Sequence, residues 1–484
     1  MNKPRFRGGV FIWVSLVLGA LSVFAQTNAT VTATSTAANQ TTLSVTVYNS
    51  DLALVRDVRR VDLPKGTVDL RFEDIAASIK PETVHITSVT SPKGLDVLEQ
   101  NYEYDLLNPA KLLQKYVGKQ VTLIRRELRD QSTVEVPVKA TLLADNESPV
   151  WQVGNEIVTG MGADRYVFPD LPPNLYSKPT LIWLLENRNT GEQTIEASYL
   201  AEKIQWTADY VLNVSSNEKN GALNGWVTIN NNTGASFRDA KLQLVAGQVH
   251  QVPRQQIVHR YAIQYQMASP AAAQFGQESI AEYHLYTLGR RTTLANNESK
   301  QISLLSAANI HIHKTLEVNG SDLMYRSAVH SLNSMKNPVE VHLKFQNSKD
   351  NSLGMPLPEG TVRVYQADSH GREQFIGEDH IGHTPRDEKL NLMIGSAFDV
   401  VEERKQTEYH SLGLNASESA YEITIRNHKS EPIIVEVNEP LGGDWTMESS
   451  NFKYEKSSAF SARFEVPVAA NGQAILNYRV RVRW

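Results

Sequence analysis

Apolar and polar residues alternate along most of this chain with a period of two, the spacing that places side chains on the two faces of a β-strand. The first clear run is "LSVTVYNSDLALVRDVRRVDLPKGTVDLRF", from Leu43, which breaks at Asn49-Ser50 and at Pro64-Lys65-Gly66. Short alternating runs punctuated by Asn, Ser, Pro and Gly predict strands joined by turns. An all-β chain is expected.

One local pattern recurs: an alternating strand ends in Asn, a few polar residues follow, and another strand begins. It occurs in "VTVYNSD", "IWLLENRNTGEQTIEASYL", "GWVTINNNTGASFRDAKLQLV", "VHLKFQNSKDNSLGMPL" and "YEITIRNHKSEPIIVEV", with Asn49, Asn187, Asn230, Asn347 and Asn427 in matching places. Asn suits such a corner because its amide bonds nearby backbone and it tolerates a left-handed conformation. The uneven spacing predicts tandem β-sandwich modules rather than the fixed repeat of a propeller.

Between the first two occurrences, "VGKQVTLIRREL", "VEVPVKATLLADNE", "PVWQVGNEIVTG" and "DRYVFPDLP" read as four or five short strands, the size of a small SH3-like barrel. Ahead of them "LLNPAKLLQKY" predicts one short helix with Asn108 as cap and Pro109 at its first position. The organisation expected from these signals is a flexible leader over 26–44, an N-terminal β module over 45–107 and a small barrel-like module with its helix over 108–178. A β-sandwich over 179–320 and a C-terminal β-sandwich over 321–484 follow. A Gln- and Ala-rich stretch, 252–279, breaks the strand rhythm and reads as a mobile insertion.

The final run "NYRVRVRW" puts Tyr478, Val480, Val482 and Trp484 on one face and Arg479, Arg481 and Arg483 on the other. It suits the last strand of a soluble sandwich or the closing strand of a membrane barrel. A barrel needs outward apolar faces and aromatic girdles, whereas aromatic residues make up 8% of this chain and runs such as "VRDVRRVDL" carry charges. The sandwich is the expectation.

The N-terminus changes the expected compartment. Lys3, Arg5 and Arg7 precede an uncharged apolar run from Val10 to Ala25 that ends in Val23-Phe24-Ala25. That is the pattern of a cleaved signal peptide over 1–25, and the run is short for a span of about twenty residues. A periplasmic or secreted protein follows, with no transmembrane segment after cleavage. The chain has no cysteine, which excludes disulfides, thiolate metal sites and a Cys nucleophile. Its net charge of −5 becomes about −8 without the signal, and its basic residues are scattered, so no nucleic-acid partner is expected.

Candidate chemistry is sparse. "GEDHIGHTPRDE" gathers Glu378, Asp379, His380, His383 and Asp387, the imidazole and carboxylate ligands a divalent metal takes. His380 and His383, three apart, point to opposite faces of a strand, so a hairpin corner in which Thr384 and Pro385 start a turn closed by Asp387 is the favoured account of that cluster. "NIHIHKTLEV" puts His311 and His313 two apart, on one face of a presumed strand. Asp379 and His383 are the catalytic candidates; His311, His313, His383 and Asp387 are the metal candidates. Asp399, within an apolar run, calls for Arg404 or Lys405 as a partner. No nucleophile elbow and no phosphate loop occurs, and no cofactor is expected.

"SYLAEKIQWTADYVLNV" and "LNGWVTINNNTGASFRDAKLQLVAGQV" resemble the secreted bacterial family labelled mucoidy-inhibitor-A-like, through Trp206, Ala208, Tyr210 and the Asn-Thr-Gly turn before Phe237 and Asp239. The likeness continues through "EYHLYTLGRRTTLANNESKQISLL", "LPEGTVRVYQ" and the closing "YRVRVRW", from about Pro179 to Trp484. It implies an exported β-rich protein with no established activity. The coiled helical insertion of longer members has no heptad counterpart here. The functional expectation is an exported, non-catalytic envelope protein that binds or spaces envelope proteins or polysaccharide. A metal-dependent hydrolase acting on envelope polymers is the alternative.

Overall fold

The computed structural model describes residues 31–103, 107–129, 132–172, 175–247, 249–250, 275–328 and 335–484. The protein is all-β, with several sandwich-like sheets and a single α-helix, Pro109–Lys115, among the described residues. Asn108 caps that helix by accepting from the Lys111 N–H, and Pro109 occupies its first turn. The signal segment lies outside the described residues.

The leader is structured from residue 31. Val31–Ser35 adds a parallel strand to Gly66–Glu73, and a single 3-10 turn, Ala37–Asn39, leads into the strand Gln40–Tyr48. Only Ser35 of the first strand is buried, so the segment carries no alternation; pairing with a neighbour, not its own pattern, makes it a strand. The proposed insertion is likewise shorter at its end. Phe275–Ile280 pairs antiparallel with Tyr283–Leu288, and the rest of the insertion up to residue 274 lies outside the described residues.

Strands from both sides of the expected boundary at 178/179 share sheets. Thr180–Asn187 lies between Gly66–Glu73 and Leu95–Glu103, and Gly191–Glu202 lies between Leu52–Leu63 and His85–Ser88. The chain around 120–167 is instead an excursion, a five-stranded antiparallel sheet with its own small core of Tyr116, Val121, Leu123, Leu142 and Trp151. The expected boundary at 320/321 is crossed in both directions. Gly360–Ala367 pairs with Ile204–Val214, while His313–Asn319 pairs with Ile433–Pro440 inside the nine-stranded C-terminal sheet.

Two large cores result. One runs from Leu43 to Leu392 and contains Trp183, Trp206 and Tyr210; the other lies within 316–482. Pro338–Gln346 and the long strand Lys389–Ser411 serve both, with Leu343, Phe345, Leu390 and Leu392 in the first core and Val339 and Val400 in the second. The last strand, Gly472–Arg483, turns Tyr478, Val480 and Val482 into the second core. Arg479 and Arg481 face outward to Glu408, Glu418 and Glu448.

Each large core encloses an arginine two residues after a carboxylate. Arg59 bonds Asp57 at 2.7 Å and the Ser35 carbonyl at 3.0 Å, and its guanidinium lies 3.6 Å from the Phe72 ring centroid. Arg404 bonds Glu402 at 3.1 Å and reaches both oxygens of Glu439 at 2.8 and 2.9 Å. A charge is tolerated in such a place only when paired and hydrogen-bonded.

Candidate functional site

The site is built where the chain crosses from one sheet to the other. The strand Glu298–His311 ends the first, Ile312 is the crossing residue, and His313–Asn319 begins in the second. Buried Ile312 is held by its N–H to the Lys219 carbonyl at 2.9 Å. His311 and His313 are both exposed on either side of buried Ile312, but they belong to strands of different sheets. His311 contacts the Asn220 side chain at 3.0 Å.

Beyond the crossing, His313–Asn319 has Pro338–Gln346 on one side over His313 to Glu317. On its other side, parallel pairing with Ile433–Pro440 covers only Leu316 to Asn319. The two parallel strands thus diverge toward their N-terminal ends, leaving the edge of His313–Thr315 that faces Ile433 and Ile434 outside any ladder. A cleft of about 1020 Å³ opens in this fork, lined by Lys219, His313, Lys314, Thr315, Glu436 and Glu465 and floored by an apolar run that includes Ile433, Ile434 and Pro467. Ile434 is 58% exposed. Lys314 is engaged by Glu218 at 2.6 Å, whereas Lys219 and His313 carry no ion pair among the described residues.

A row of ionisable groups runs from the cleft along the same sheet face. Thr315 bonds Glu317 at 2.8 Å, Lys344 lies 2.6 Å from Glu317 and 3.3 Å from Glu436, and His342 lies 3.2 Å from Glu340 and 3.0 Å from Asn391. Burial works to raise the Glu317 pKa, but the bonds from Lys344 and Thr315 outweigh it and hold the carboxyl below its usual range. Glu317 is accordingly a fixed anion within a closed network, not a proton donor.

The remaining candidates are placed apart from the cleft. The Asp379 carboxylate accepts the backbone N–H groups of His380 and Met393, both at 2.8 Å, tying Glu373–Ile381 to Lys389–Ser411. His383 Nδ1 accepts the Glu359 N–H at 3.1 Å, with the Glu359 carboxylate 3.7 Å from its other nitrogen. Asp387 has a left-handed φ of 67° and pairs with its neighbour Arg386. Among the described residues no group of three or more His, Asp and Glu side chains is placed to hold a metal. Asp399 is exposed, and the partners of Arg404 are Glu402 and Glu439 instead.

Sequence reasoning reached His313 and missed the row beside it. The signal was present: Glu340, His342 and Lys344 alternate in "VEVHLKFQ", as Thr315 and Glu317 do in "HKTLEV", so each set shares one face of its strand. The two sets are brought side by side by a pairing that no local pattern encodes.

Fold and cleft together define a multi-sheet β-sandwich protein with a mixed apolar and charged fork between strands of its C-terminal sheet. The chain belongs to the DUF4139 family, described as a domain of unknown function, whose family model matches residues 195–484. No curated protein matches the chain.

Proposed function

We propose that the protein is an exported, non-catalytic component of the cell envelope, periplasmic or secreted, which holds an extended polypeptide of another envelope component in the cleft at His313–Thr315 and Ile433–Ile434. The observation that carries this reading is the fork. Diverging strands offer main-chain edges outside any ladder, the feature used when a peptide adds a strand to a sheet. Ile433 and Ile434 supply an apolar contact, Lys219, which has no ion pair among the described residues, supplies positive charge for an acidic side chain or carboxylate, and His313 supplies an imidazole for hydrogen bonding.

The N-terminal signal pattern supports export, and the likeness at Trp206, Ala208 and Tyr210 supports a place within the mucoidy-inhibitor-A-like group. Metal-dependent hydrolysis has less support, because each Asp379 oxygen already accepts a backbone N–H, His383 Nδ1 accepts another, and no group of three or more His, Asp and Glu among the described residues is placed to hold a metal.

A photo-crosslinking residue at Ile434, expressed in the native cells, tests the reading. A discrete protein adduct that disappears with Lys219→Glu is expected, with none from the same group at Ile157 in the excursion sheet. A glycan adduct would transfer the cleft to polysaccharide, and equal labelling from both positions would remove it as a site. Mature protein from the non-cytoplasmic fraction should begin near Gln26; an intact Met1 there would overturn export by cleavage. Stoichiometric zinc, manganese or calcium in gently purified protein, lost with His383→Ala, would favour the hydrolase.

A further inference from the structure

Around one hairpin of the C-terminal sandwich, apolar side chains project into solvent. The hairpin between Lys389–Ser411 and Ala416–Asn427 is closed by the Leu412 N–H bonding the Ala416 carbonyl at 2.9 Å. At its tip Leu412 is 50% and Leu414 100% exposed, separated by Gly413. Trp484 sits at the hairpin base, donating its backbone N–H to the Asn415 carbonyl at 3.0 Å, and the Arg326 guanidinium lies 5.8 Å from its ring centroid. The short turn Asp322–Tyr325 that precedes Arg326 adds Leu323, 67% exposed. Arg483, exposed beside Trp484, makes no ion pair among the described residues. Beneath this layer Tyr325, Ser417 and Val482 are buried, so the tip stands on packed core.

Leucines at the hairpin tip, the Trp484–Arg326 pair at its base and the exposed Arg483 next to Trp484 offer the hydrocarbon, interfacial and headgroup contacts of a bilayer. A protein partner calls for a broad, complementary patch of about 800 Å² per side. Single leucines projecting on either side of a glycine offer no such patch, whereas fluid acyl chains need no matching shape. From this geometry we propose that the Leu412–Leu414 tip, with Leu323, Trp484 and Arg483, docks the protein on a phospholipid surface by inserting its leucines among the acyl chains. This docking is independent of the cleft, which lies at the crossing of the two sheets.

Sedimentation of the full mature chain with vesicles of phosphatidylethanolamine and phosphatidylglycerol tests the proposal. Wild-type protein is expected to pellet with the vesicles, and Leu412→Ser with Leu414→Ser to weaken partition by about tenfold or more. The thermal midpoint should not move, since both side chains are exposed. Arg483→Gln should weaken binding to these vesicles and leave binding to phosphatidylcholine vesicles unchanged. Because the chain has no cysteine, Leu414→Cys carries a single environment-sensitive fluorophore, which should shift to the blue with vesicles while the same label at Ile157→Cys does not. Wild-type protein that stays in the supernatant would overturn the proposal, as would a double-serine variant that pellets like the parent. A dimer in lipid-free solution that the double-serine change dissolves would assign the tip to a second copy instead.

Discussion

Arg404 and Glu439 face each other across the C-terminal core, with Nη1 of the arginine 2.8 and 2.9 Å from the two carboxylate oxygens and both side chains shut off from solvent. The Tyr325 hydroxyl donates to Glu439 at 2.5 Å and meets the Tyr478 hydroxyl at 2.8 Å, and Glu402 takes the Arg404 Nε–H. The excess of carboxylate over guanidinium is thus offset by phenols as well as by charge. Removing the cation alone leaves two carboxylates in a dry site.

Arg404→Met is accordingly expected to cost about 3–5 kcal/mol, the usual result of breaking a buried pair from one side. Because the two large cores are distinct, urea unfolding should split into two phases, with the C-terminal sheet melting first. A single transition at the parent's midpoint would contradict the role given to this pair.

Gly320 makes room for the same cluster. A Cβ at this position would lie 2.3 Å from Glu439 Oε2 and 3.0 Å from Arg404 Nη1, neither of which can move without breaking the buried pair. Gly320→Ala should destabilise the C-terminal sheet by roughly 1–3 kcal/mol, the range for overpacking. Gly162→Ala serves as the comparison: like Gly320 that residue has no left-handed φ, and nothing lies near its Cβ. Thermal shifts of equal size at the two positions would mean that contact with the cluster is not the cause at Gly320.

How far the sequence carried depended on whether a feature was local. Strand alternation placed Tyr478, Val480 and Val482 inward, and Trp206 and Tyr210 on one buried face, because facing follows from period two alone. Trp206 donates to the Val245 carbonyl and Tyr210 to that of Pro358, so both are satisfied in the core. The Asn corners were legible as a motif but not always in register. Asn187, Asn347 and Asn427 are buried corners, whereas in "INNNTG" the corner residue is Asn231, not Asn230, and a shift of one residue reverses the face. Asn49, with one long bond to the Trp206 carbonyl, is no such corner. What sequence could not show was pairing across the chain: the break at Ile312, the sharing of Arg404 between Glu402 and Glu439, and the sheets that cross the expected boundaries. Glu402 looked like one half of an ordinary acidic pair because Glu439, the second carboxylate held by Arg404, lies 35 residues from that arginine.

The corrected corner makes its own prediction. The Asn231 side-chain amide donates to the carbonyls of Ala235, Leu294 and Ala295, and its oxygen accepts from the N–H and hydroxyl of Thr233. Asn187 and Asn427 accept from the residue two ahead in the same way. Asn231→Ala strands several buried carbonyls, at a cost of about 1–3 kcal/mol or more. Asn230→Ala, on the opposite face, should stay within about 0.5 kcal/mol of the parent. Chemical denaturation of the two variants side by side decides it, and a larger loss at Asn230 would restore the original register.

The tyrosines of the C-terminal core contribute to the alkaline limit of the protein. Burial is the main cause raising the pKa values of Tyr325 and Tyr478 well above the ordinary phenol value, and the negative charge of Glu439 adds to it. In the unfolded chain both ionise near pH 10, so above that point the unfolded state has fewer protons than the folded one. Stability is then fully present below about pH 10 and falls as pH rises beyond it, by about 1.4 kcal/mol per pH unit for each tyrosine. Ultraviolet titration should show these phenols silent in native protein and ionising only as the C-terminal sheet unfolds. Tyr325→Phe removes one of the two groups, and although it loses the bond to Glu439 and starts from lower stability, its decline above pH 10 should be shallower by that same amount. A variant whose stability falls as steeply as the parent's would show that Tyr325 ionises as freely in the folded protein as in the unfolded chain.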